Sequence, residues 1–136
     1  MKRYAIGTIV GGASLFLLGF LIYVILLPDP AFAKGPAAAA ANRAEPNLPP
    51  IIVAELLYGF LLTRALVKSG AVTSVGNSAK SGALIGGVLG LSFVLIMLGT
   101  TEVVTLPGAL YEGATWAVRW AVAAVVLSKV LGKMTD

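Results

Sequence analysis

The sequence predicts an all-α integral membrane protein, a bundle of four transmembrane helices with both termini in the cytoplasm. Three observations carry that expectation. The chain has 136 residues, 58% hydrophobic and 12% charged, whereas soluble domains are nearer half apolar and a quarter charged. A soluble chain this short could not bury so much apolar surface, so lipid must cover it. The apolar residues also gather into four long runs, and the lysines and arginines collect on one side of those runs.

The four predicted spans are residues 5–27, 51–67, 81–99 and 109–131. Each is long enough, or nearly so, to cross ~30 Å of hydrocarbon at ~1.5 Å per residue. Residues 1–136 read as a single membrane domain, with residues 28–50 as an Ala/Pro-rich outer loop. Lys2 and Arg3 precede the first span, Lys68 and Lys80 bracket the second loop with Arg64 at its edge, and Lys129 and Lys133 close the fourth span. Excess positive charge marks the cytoplasmic side.

The first span raises a separate question. It opens on "MKRY" and is followed by Ala31-Phe32-Ala33, a small-x-small pattern that fits a signal-peptidase site. Its full apolar length of 23 residues is a complete span, longer than a signal core of ~7–15 residues. An uncleaved anchor is therefore the expectation, and removal of residues 1–33 is the alternative. The connector "PDPAFAKGPAAAAANRAEPNLPP" reads as a solvated, largely extended linker in which the alanine run could form one helical turn. Pro49 and Pro50 fall where a helix tolerates proline, in the first turn of the second span.

"GTIVGG" at residues 7–12 is echoed by "GALIGG" at 82–87, and Glu55 is echoed by Glu112. Two parallel hairpins of one design would produce this pattern; so would the general abundance of small residues in membrane helices. Gly82, Gly86 and Gly90, preceded by Ser78, make a stripe on the third span that lets another backbone approach closely. Packing inside the bundle is the favoured use of that stripe, and a dimer seam is the alternative.

Glu55, Glu112 and Arg119 are the ionisable side chains well inside the spans. Arg119 is about 18 Å from the cytoplasmic end of its helix at ~1.5 Å per residue, too deep to snorkel, so it should face an acid, water or the bundle interior. Glu112 lies two turns earlier on the same face and is the expected partner, with Glu55 at a similar depth and Tyr58 or Ser92 able to complete the link. This cluster reads equally as a pocket for a small ligand or protons and as a clamp that fixes helix register.

The N-terminal "KRYAIGTIVGGASLFLLGFLIYVILLPD", with "LLTRAL" and "SGALIGGVLGLSFVLIMLGTT" further on, resembles a family of small, uncharacterised bacterial four-helix membrane proteins, the 1761-like domains of unknown function. The resemblance covers all four spans and departs at the Ala-rich first loop. It implies architecture and a bacterial cytoplasmic membrane, and no chemistry.

Cysteine and histidine are absent, which removes thiol nucleophiles, Fe–S clusters, the usual zinc sites and His-ligated haem. Ser14 and Ser92 have no histidine to activate them, and no lysine sits deep in a span. No cofactor, metal or catalytic residue is expected, and no basic face suggests nucleic acid. The expected role is structural or accessory, with lipid and a second copy or other membrane subunits as partners. The alternative is a dimeric transporter or channel for small solutes or protons, working through Glu55, Glu112 and Arg119.

Overall fold

A computed structural model describes residues 1–26 and 30–134. Four long helices pack as a bundle: α1 (Lys2–Phe20), α2 (Leu48–Lys68), α3 (Val75–Thr100) and α4 (Leu106–Leu131). α1 runs on into π-helical turns over Leu21–Leu26. All four are long and apolar enough to cross a membrane, the first as Lys2–Leu26. This is an all-α integral membrane architecture. The helices start three to six residues before the predicted spans, because first turns holding Pro49 and Pro50, Pro107 and Gly108, or the polar Lys2 and Asn77 continue a helix while adding little to its hydropathy. Leu27, the predicted end of the first span, and Asp29 in the outer loop lie outside the described residues.

Local chemistry sets the helix ends. Pro49 and Pro50 occupy the first turn of α2, as expected. Ser74 caps α3 by accepting from the Asn77 N–H at 3.4 Å, and Thr105 caps α4 by accepting from Gly108 at 3.1 Å. Just after α2, Gly70 takes φ 73°, a left-handed conformation that lets the chain turn back.

α4 is the core helix. Trp120, Ala123, Ala124, Leu127 and Leu131 on it are fully buried, against Leu15 of α1 and Leu62 and Leu66 of α2. α4 packs most extensively on α3 and also on α1, while α2 touches α3 and α4 sparingly and α1 and α3 have no direct packing. Most remaining large apolar side chains point outward, among them Leu57, Leu84, Val88 and Ile96. Outward apolar faces suit lipid, in which helices associate through close backbone fit.

That fit is visible at the glycines. A Cβ on Gly59 of α2 would strike the backbone of Gly12 on α1. Gly82, Gly86 and Gly90 meet Trp116, Trp120 and Ala124 of α4, so the stripe faces inward, within the bundle. Each Gly-x-x-x-Gly-Gly motif thus packs on the helix that follows it. The α1–α4 packing has no counterpart of equal extent between α2 and α3.

The first outer connection departs from the solvated linker expected. It forms a 3-10 turn at Ala31–Ala33 and one helical turn at Ala38–Ala41, and Ala33, Gly35 and Ala38 are buried. Gly35 donates to the Val103 carbonyl at 2.9 Å and Thr105 to the Ala33 carbonyl at 3.3 Å, on either side of a Lys34–Val104 antiparallel bridge, and Ala37 donates to the Glu102 carbonyl at 3.0 Å. The Thr105 hydroxyl donates to the Phe32 carbonyl. Small residues let this strap lie against the start of α4, where Gly108 leaves room for the Ala33 backbone. Composition marked the segment as polyproline-like; the exposed carbonyls of the third loop gave it a backbone partner instead. The bundle therefore has a strapped lid end and an opposite, basic end.

Candidate functional site

Arg119 is 4% exposed, near the middle of α4. Three neighbours hold it. Its Nε donates to the Leu15 carbonyl of α1 at 2.9 Å. Its Nη2 forms an ion pair with Glu55 Oε1 of α2. Its guanidinium also lies over the Trp116 ring, 5.8 Å from the centroid. Gly19 makes the space, since a Cβ there would sit 3.3 Å from Arg119 Cζ. One arginine thereby ties α4 to both α1 and α2.

The expected pairing of Arg119 with Glu112 is replaced by pairing with Glu55. Glu112 instead accepts a hydrogen bond from the Tyr23 hydroxyl at 2.8 Å. The reason is geometric. A partner two turns away on the same helix must be reached along the axis, whereas the facing helix α2 brings a carboxylate to the guanidinium directly. Tyr23 carried no sequence signal beyond being a tyrosine in an apolar run. Its direction is set by the π-helical turns, which break the 3.6-residue periodicity on which sequence reading relies.

Tyr58 and Ser92, the proposed links, do not join the cluster as hydrogen-bonding groups. Tyr58 packs edge-on against Trp116 and Trp120, with centroids 5.5 and 5.4 Å apart. The two tryptophans stack at 6.4 Å. Together these rings form an aromatic cluster beside the ion pair. Ser92 is exposed on α3, on the face turned away from α4, because Gly86 and Gly90 already direct the opposite face inward. Among the described residues, no group of three acidic side chains converges as a metal site.

Two cavities meet at Arg119. One, about 310 Å³, lies under the lid and reaches Tyr23, Glu112, Trp116 and Arg119. The other, about 250 Å³, lies between α1 and α2 and reaches Glu55, Tyr23 and Arg119. The second oxygen of Glu55, Oε2, is buried without a hydrogen-bond donor among the described residues. Toward the basic end the packing closes around Leu62, Leu66, Leu127 and Leu131, all fully buried.

The chain matches no family model, no curated protein and no solved structure. Its architecture and its site thus rest on its own residues.

Proposed function

We propose that this is a structural or accessory protein of a bacterial cytoplasmic membrane, a small subunit that joins a larger membrane complex and performs no catalysis of its own. The observation that supports this most is the use of Arg119. Two of its three nitrogens are committed to the Leu15 carbonyl and the Glu55 carboxylate, so the deepest charge in the bundle works as a three-helix clamp. Fixing register is the best-attested role for a buried polar group of this kind. The resemblance to small bacterial four-helix membrane proteins, and the lack of any histidine or cysteine to pair with a serine, favour the same reading. The basic residues at the span ends favour an orientation with both termini in the cytoplasm and the lid outside.

Purification in mild detergent tests the proposal: the chain should run with other membrane subunits in fixed stoichiometry. A lone protomer or dimer that moves solutes or protons in proteoliposomes would replace it with the transporter reading, whose support is the cavity beside Glu112 and Arg119. Orientation is checked separately. In whole cells, cysteine at the exposed Ala39 should react with an impermeant thiol reagent, and cysteine at the exposed Asn77 should not.

A further inference from the structure

The 310 Å³ cavity under the lid has a construction that the clamp does not require. Its volume lies at the lower end of ligand sites, roughly 300–1,000 Å³. The strap of residues 31–42 and the third loop close it toward the aqueous side, through Ala33, Lys34, Ala38 and Val104. Sideways it is differently bounded. Tyr23 of α1 stands on one flank and Phe93, Val94 and Met97 of α3 on the other, and these two helices do not pack on each other. Phe93 is more than half exposed at that gap. The route in is therefore from lipid.

The polar groups at the back define what could enter. Arg119 lines the cavity, and its third nitrogen, Nη1, has no hydrogen-bond partner among the described residues although the side chain is 5% exposed. A guanidinium donor open to a cavity can take an acceptor from whatever fills that space, and a phosphate oxygen is the acceptor that guanidinium geometry matches best. Lys34 adds a second cation from the lid, and Glu112 adds a carboxylate on the wall. Among the described residues, with Glu55 counted, two cations and two anions gather here, so the site presents both signs.

We propose that the cavity holds the head of a bilayer phospholipid that carries both a phosphate and a primary amine, a phosphoethanolamine head entering sideways from the leaflet on the lid side. The phosphate takes Arg119 Nη1 and Lys34, the ammonium lies toward the Glu112 carboxylate, and the acyl chains leave past Phe93 and Met97. A purely anionic head would add an uncompensated charge, and a choline head has no N–H to donate.

The test uses the full chain in nanodiscs of equal parts phosphatidylethanolamine, phosphatidylcholine and phosphatidylglycerol, with bound lipid read by native mass spectrometry after release into detergent. One phosphatidylethanolamine per chain should be retained over the other two by about tenfold, the scale of one charge-assisted hydrogen bond. Lys34→Ala should reduce that preference by a similar factor. Met97→Trp, which fills the cavity without touching the clamp, should abolish retention while leaving the thermal midpoint in lipid-free detergent unchanged. Equal retention of all three lipids, preference for phosphatidylglycerol, no retention, or retention that neither variant alters would each overturn the proposal.

Discussion

The two halves of the bundle solve the same problem with different chemistry. At the basic end, two buried hydroxyls answer backbone carbonyls: Ser128 donates to Val72 at 2.9 Å and Ser78 to Ala71 at 2.8 Å, while the buried Thr63 hydroxyl has no partner among the described residues. These bonds hold the 3-10 turn Ala71–Thr73 against a dry core of leucines. Arg3 reaches the Leu131 carbonyl at 3.2 Å and ties the start of α1 to the end of α4. At the lid end the polar groups are charged, the helix winding changes at Leu21–Leu26, and cavities remain. A hydroxyl can be satisfied by one neighbour and leaves little space. A guanidinium has five N–H donors and a fixed fork, and its surroundings must open to accommodate it. The basic end buries a leucine core beneath a surface hollow lined by Ser69, Gly70 and Lys80, and the lid end contains a charge.

The sharpest way to break this contrast is to unbalance the ion pair. Glu55→Gln leaves Arg119 buried without a counter-charge and should cost about 3–5 kcal/mol in detergent unfolding. Arg119→Leu should cost less, since the Glu55 side chain is 13% exposed and nearer the edge. Combining the two should recover much of the loss, whereas Arg119→Leu with Glu112→Gln should be additive. Coupling to Glu112 in place of Glu55 would show that the clamp has been assigned to the wrong acid.

Steric disruption comes next. Gly86→Leu drives a side chain into Trp120 and Trp116 and should lower stability by about 1–3 kcal/mol or more. Gly99→Leu, where a Cβ would meet nothing within 4 Å, should be neutral. Equal effects at the two sites, measured by thermal unfolding, would mean that the α3–α4 seam is not formed as described.

Thr105→Ala removes the cap of α4 and the hydroxyl that holds the Phe32 carbonyl. A loss of about 1 kcal/mol is expected for the cap, together with faster proteolysis within residues 31–41. Unchanged cleavage would show that the strap is held elsewhere. Similar in size, and without the effect on proteolysis, are the single hydroxyl deletions that compare the halves directly. Ser128→Ala and Tyr23→Phe should each cost about 0.5–1.5 kcal/mol. Ser128→Ala should have the larger effect because it leaves a buried carbonyl unanswered.

The spans, the start of α2 and the inward use of Gly82, Gly86 and Gly90 were legible in the sequence, because length, hydropathy and small-residue spacing act locally. So was the need of Arg119 for an interior partner, which follows from its depth alone. Which acid would serve was not legible. Glu55 and Glu112 lie at similar depths, and the choice depends on how far each helix is rotated about its axis, a property of packing. Tyr23 was hidden by the π-helical turns. The strap was hidden because its partners are main-chain atoms of residues 102–105, which side-chain composition does not report.

That α4 carries the core has a consequence for how the protein is made. Spans enter the membrane in the order of the chain and then associate. The first two can meet early, through Gly12 and Gly59, but the side chains that bury Leu15, Leu62 and Leu66 have not yet been synthesised. Until α4 arrives, Glu55 sits in the bilayer without the cation that will hold it. Ribosomes stalled before residue 119 should therefore yield an α1–α2 hairpin that membrane quality control recognises as unfinished, with the lone Glu55 as its mark.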